Sequence, residues 1–190
     1  PEGVVDHNGE RVPWELCATM NNHWGYCNFD HEYKPAEMLI RKLVECTSKG
    51  GNMILNVGPD AKGRIPEESV KILEKIGAWM ERNGESIYGC GICDIPKPEW
   101  GRYTQKDDTV YAHVYEAPLG ALPLYGIAPE QLEKVSYLAD GSEMTRGEAW
   151  NTVLFDDVAF VSFGANPVFT YPLPDKTDTV LKIKMKKARN

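Results

Sequence analysis

The 190-residue sequence lacks any apolar run approaching the ~20 residues of a membrane-crossing helix. Positive charge is scarce: 21 Lys and Arg face 28 Asp and Glu, a net charge of −7. That balance argues against a surface built for the phosphate backbone of nucleic acid. The one basic cluster, KIKMKKARN at residues 182–190, reads as a solvated C-terminal end. No secretory signal is visible. The sequence opens PEGVVD without an initiator Met and is read as a piece of a longer protein. Its compartment stays open; cytoplasm and periplasm are the choices for a bacterial source.

Metal and disulfide patterns are missing too. The five cysteines, at 17, 27, 46, 90 and 93, are odd in number and scattered, a poor disulfide framework. Cys90 and Cys93 form one CxxC, but two further zinc ligands at matching spacing are absent. The motif follows a helix and runs into Pro-rich sequence, which does not suit a redox pair. Buried or incidental thiols are expected. His7, His23, His31 and His113 show no metal-ligand spacing, and no metal or organic cofactor is expected. KGGN and NVGP match neither GxxxxGK[ST] nor GxGxxG. No nucleophile elbow points to Ser-His-Asp chemistry.

What is present is an ordinary globular balance, 42% hydrophobic and 26% charged. Residues 35–49 predict a helix, with Pro35 and Glu37 suited to its first turn and Gly50–Gly51 ending it. Ala36, Leu39, Ile40, Leu43, Val44 and Thr47 share one face. NMILNV (52–57) is a short apolar run, expected to be a strand buried on both faces. Residues 67–83 predict a second helix with Val70, Leu73, Ile76, Trp79 and Met80 inward and Gly84 as C-cap. After about residue 95 the pattern changes. Strand-like runs at 109–117, 134–139, 158–163 and 179–185 are separated by the turn signals KDD, ADG and PDK. An α/β part followed by an all-β part is expected, with the boundary between 90 and 101.

WELCATMNNHWGY, residues 14–26, fits neither helix nor strand periodicity. It holds two tryptophans among neutral polar groups. Sugar sites combine such groups, because a pyranose has a C–H face that stacks on a ring and hydroxyls that must keep hydrogen bonds when buried. Trp14 reads better as core. Trp24, between His23 and Gly25, stands open between core and ligand contact. Asn52 and Asn56 share a strand face and suit either core hydrogen bonding or a site edge. Glu15 suits an internal pair or a loop tie.

Together, PWELCATMNNHWGY, SKGGNMILNVGPDAKGRIPEE and IGAWMERNGESIYG resemble the family 29 glycoside hydrolases, the α-L-fucosidases, in order and spacing across residues 14–89. The resemblance implies the last strands and helices of a (β/α)8-like barrel in residues 1–95. It implies a C-terminal antiparallel β-sandwich in 96–190. The NNHWGY loop would then lie at the C-terminal rim of the barrel strands. Trp24 would pack against fucose, with His23 in the same substrate-binding loop.

The resemblance further implies retaining hydrolysis by two carboxyl groups ~5–5.5 Å apart. By its distance from the Trp14–Glu15 pair, Glu2 is the candidate acid/base; the terminal carboxylate is otherwise simply solvated. The nucleophilic Asp belongs to a block that this sequence does not contain, and Asp30 comes in the wrong order for it. The implied partner is a fucosylated oligosaccharide or glycoconjugate, with no nucleic acid and no membrane. Two other readings stay open: a non-catalytic fragment or carbohydrate-associated β-sandwich module, and a separate chain supplying the missing strands. In a fragment, the uncovered barrel surface favours self-association.

Overall fold

The computed structural model describes residues 3–186. The chain begins with a β-α-β crossover: β1 (Glu15–Thr19), α1 (Ala36–Ser48) and β2 (Asn52–Asn56). The two strands are parallel and in register, Glu15 opposite Asn52 and Thr19 opposite Asn56. α2 (Glu67–Asn83) follows. Both helices lie within a residue or two of the ranges that periodicity predicts.

Two expectations fail here, the burial of β2 on both faces and the inward placing of Val70. β2 is not buried on both faces: Ile54 is 49% exposed, because β1 is the strand's one partner among the described residues. Glu15, Cys17, Asn52 and Ile54 are exposed, while Leu16, Ala18, Met53 and Leu55 between them are half-buried. Gly84 is the C-cap of α2, as expected; it is right-handed (φ −58°), and the chain tightens into a 3₁₀ turn over Gly84–Ser86. Val70, expected inward, is exposed. The apolar contacts of α2 are concentrated in its later turns, at Ile76, Trp79 and Met80.

The second half forms two antiparallel sheets. β3 (Gly101–Lys106), β4 (Thr109–Val114), β9 (Thr179–Met185) and β6 (Leu132–Tyr137) make the larger, in that order. β5 (Leu122–Leu124), β8 (Ala159–Ser162) and β7 (Thr145–Arg146) make the smaller. The four strand-like runs of the sequence are β4, β6, β8 and β9. The other three were illegible for physical reasons: β3 (GRYTQK) is mostly polar, β7 has two residues, and β5 carries Pro123, which an edge strand tolerates.

The larger sheet is covered on both faces. Val110, Ala112, Val114, Leu181 and Ile183 meet Leu122, Leu124, Ala159 and Val161 in the sandwich core. On the other face, Tyr111 and Val180 pack with Ile40, Val44, Trp79 and Ile87. TVYAHV reads as a continuous run because both sides of β4 are buried.

Polar ties cross between the helices and this face. Arg41 donates to the carbonyls of Thr177 (2.9 Å) and Lys176 (3.0 Å) and lies 4.8 Å from the Tyr115 ring centre. Arg102 pairs with Glu45 at 3.1 Å. His113, fully buried, bridges Asp178 (Nδ1–Oδ2 2.7 Å) and Thr104 (Nε2–Oγ1 3.2 Å), and Thr104 donates to the Ser86 carbonyl at 2.8 Å.

Candidate active-site rim

Parallel pairing sets the C-terminal ends of β1 and β2 side by side, and the loop over residues 20–35 rises from that edge. Its base is closed by Lys34, which donates from its backbone to the Met20 carbonyl (2.8 Å) and from Nζ to the Asn21 carbonyl (2.6 Å). The Thr19 hydroxyl donates to the same carbonyl. Asn56, at the end of β2, donates its amide to the Trp24 carbonyl at 2.6 Å. Of the two roles open to Asn56, the structure shows the one at the loop: it ties the loop to the sheet. Gly58 (φ +51°) lets the next loop pass close beneath. A Cβ there would stand 3.3 Å from Gly25 and the Trp24 carbonyl.

Asp30 organises the loop. Its side chain is 4% exposed. The carboxylate accepts from the backbone N–H of Asn22 (2.8 Å) and Glu32 (3.1 Å), from the Asn22 amide (3.4 Å) and from His23 Nδ1 (2.6 Å). The His23 hydrogen bond, followed by those backbone donors, holds its carboxyl below the usual carboxylate range. An ionised Asp30 puts the His23 proton on Nδ1. Nε2 has no hydrogen-bond partner among the described residues, and the His23 side chain is 55% exposed. Sequence reasoning weighed Asp30 only as a nucleophile and missed this anchoring role. The one signal available was an Asp seven residues after a His within a single loop.

Around this clasp the loop presents aromatic rings to solvent: Trp24 is 58% exposed, and Tyr26 and Phe29 are also open. A cavity of about 390 Å³ lies between this loop and the start of α2, lined by Tyr26, Asp30, Tyr33, Arg64, Glu67 and Glu68 among others. No group of three His, Cys, Asp or Glu side chains suited to a metal occurs among the described residues.

Trp14 lies at the opposite end of the strands and is structural. Its Nε1 donates to the Lys49 carbonyl at 3.0 Å, and its ring fills the space where a Cβ on Gly51 would stand, 2.3 Å away. Glu2 lies outside the described residues. Its neighbour Gly3 rests against the same Lys49 carbonyl, 2.9 Å from where a Cβ would be. The structure therefore brings His23 and Trp24 together on one loop, with Gly3 at the other strand end.

The sequence profile of the α-L-fucosidase family matches residues 1–85. An α-L-fucosidase of Dictyostelium discoideum is 39% identical over 110 residues, covering 55% of this chain and 24% of that protein. Isoenzyme 1 of the Paenibacillus thiaminolyticus α-L-fucosidases superposes with a TM-score of 0.91 at 44% identity. The match covers 98% of this chain and 43% of that one.

The chain matches the C-terminal portion of the α-L-fucosidases.

A family 29 α-L-fucosidase of Bacteroides thetaiotaomicron, solved as a trapped covalent intermediate in complex with 2-fluoro-fucosyl fluoride, superposes at 0.75 with 30% identity. That match covers 98% of this chain and 41% of the Bacteroides chain. The chain thus spans about a quarter of the Dictyostelium fucosidase and under half of the two solved fucosidases.

Proposed function

We propose that this chain is the C-terminal portion of a retaining α-L-fucosidase and contributes one wall of its fucose pocket. One observation carries the reading: a buried, ionised Asp30 fixes His23 beside an exposed Trp24 at the C-terminal edge of a parallel strand pair. A fixed imidazole with a free Nε2 suits a sugar hydroxyl. An exposed indole suits the apolar face or methyl group of fucose.

In this reading residues 1–95 are the end of a (β/α)8 barrel, β1 and β2 its last two strands, and 96–190 the β-sandwich domain. The exposed face bearing Glu15, Cys17, Asn52 and Ile54 would look into the barrel. The nucleophilic Asp, supplied by the remainder of the enzyme, attacks the anomeric carbon as the acid protonates the departing oxygen. Water then cleaves the fucosyl ester, giving its proton to the same residue acting as base. Glu2 is the proposed acid/base. Gly3, the residue bonded to it, sits at the far end of the strands, and one residue step spans only ~3.8 Å, so that role requires Gly3 itself to move toward the rim in the complete barrel.

Replacing the matching segment of the Paenibacillus enzyme with this chain tests the reading. The chimera is expected to hydrolyse 4-nitrophenyl α-L-fucoside, while the 190-residue chain alone is silent. Trp24→Ala in the chimera should raise KM about tenfold, the loss of ~1.4 kcal/mol of ring contact. Glu2→Ala should slow a natural oligosaccharide far more than the nitrophenyl substrate, whose leaving group needs no acid. A folded but inert chimera refutes the assignment, and normal oligosaccharide turnover by Glu2→Ala refutes that residue's role.

A second reading, a chain with no turnover of its own, draws on the exposed Ile54 face of the two-stranded sheet. Uncovered, that surface favours self-association, measured as a size that grows with concentration in light scattering.

A further inference from the structure

On the helix-facing side of the larger sheet, register sets Lys106, Thr109, Lys184 and Lys134 in one row across β3, β4, β9 and β6. The next row carries Tyr111, Lys182 and Ser136. Lys134 and Lys184 are direct cross-strand partners, a placement of like charges that costs stability unless an anion lies between them. Lys106, Lys134 and Lys184 are exposed, beyond the area that the helices cover.

Lys134, Lys182, Lys184, Ser136 and Gly141 line a cavity of about 300 Å³ with Glu85 at its side. Glu85 shows what the groove accepts. Its carboxylate takes hydrogen bonds from Lys182 Nζ and from the Tyr111 hydroxyl (2.7 Å), and Lys182 leads the interactions that hold its carboxyl below the ordinary value. Glu143 pairs with Lys134 at 3.0 Å, but both side chains are largely exposed, and such pairs exchange readily. Lys184 has no carboxylate partner among the ion pairs of the described residues. Asp107 and Asp108 stand in the β3–β4 turn at one end of the row, and Asp140 precedes the cavity-lining Gly141 at the other.

We propose that this lysine row is a binding groove for an acidic saccharide, its sulfate or carboxylate groups bridging Lys134 and Lys184. A chain of net charge −7 repels an extended polyphosphate. A short anionic sugar meets only the local positive field, and the Ser136 hydroxyl can serve its neutral groups. The site lies outside the fucose-pocket loop and does not depend on the fucosidase reading.

Titration calorimetry of the full chain with a heparin tetrasaccharide tests it. Binding is expected at 50 mM salt, with log K falling against log salt at a slope of about −2, by the rule of roughly one released counterion per neutralising lysine. Lys134→Gln with Lys184→Gln should weaken binding at least tenfold and flatten the slope by about 1–2, with the melting temperature unchanged or raised. Lys187→Gln with Arg189→Gln, in the C-terminal tail, should leave affinity within twofold. The proposal is overturned by no binding at low salt, by loss of binding in the tail variant alone, or by inorganic sulfate binding as tightly as the saccharide. Tighter binding of a short RNA would also overturn it. None of these outcomes bears on fucoside hydrolysis.

Discussion

Asp178→Ala offers a direct measure of what the buried polar pair between β4 and the start of β9 contributes to the fold. Asp178 and His113 are both fully buried, and each holds the other's polar edge at 2.7 Å. Burial raises the Asp178 carboxyl above its ordinary value, against the pull of His113. Removing the carboxylate leaves His113 Nδ1 without its acceptor in a site that water does not reach. An unsatisfied buried donor costs about 1–3 kcal/mol, and the small void left by the truncated side chain adds about 1. The expected loss is about 2–4 kcal/mol. At roughly 2–4 °C per kcal/mol for a chain of this size, the melting temperature falls by about 4–16 °C.

Asp178→Asn is the discriminating control, because its amide oxygen can still accept from Nδ1 in the same space; it should lose less than half as much. Replacing both partners with leucine should recover much of the single-variant loss, as buried polar pairs exchanged for apolar groups often do. Circular dichroism melts and calorimetry of the three variants decide the matter. If Asp178→Ala lies within about 0.5 kcal/mol of the parent, or if Ala and Asn cost the same, the bridge does not stabilise the fold as argued.

Asp30→Asn keeps the shape of the loop anchor but removes its charge. The Nδ1 proton resonance of His23 should lose its protection from exchange, while the far-ultraviolet spectrum stays constant. Glu45 is drawn down to about 2 by hydrogen bonds from Lys42 and Lys49, assisted by Arg102. A depressed carboxyl stabilises the fold above its unfolded value of 4.5 and loses that contribution as pH falls toward 2. Glu45→Gln should therefore be less stable than the parent at pH 6, with the gap closing between pH 4.5 and 2 in urea titrations. A Cβ on Gly101 would stand 1.8 Å from the His113 carbonyl, so Gly101→Ala should separate β3 from β4. Hydrogen exchange at the β3 amides should rise, and unchanged protection would refute the contact.

The elements with strong local signals were legible in the chain itself. α1 and α2 announced themselves through apolar spacing and their Pro and Gly boundaries, and β4, β6, β8 and β9 through β-branched and aromatic runs between turns. The same local chemistry singled out His23 and Trp24, because an aromatic and polar cluster without periodicity suits a site better than an element. What depends on partners distant in sequence was not legible. Strand β3 is polar along much of its length and is held by β4. Ile54 is apolar and yet exposed, since burial belongs to the neighbour that covers a strand face and not to the strand. Asp30 became the anchor of His23 only when the loop folded back. Lysines 106, 134 and 184 form one row only through cross-strand register, which composition cannot express.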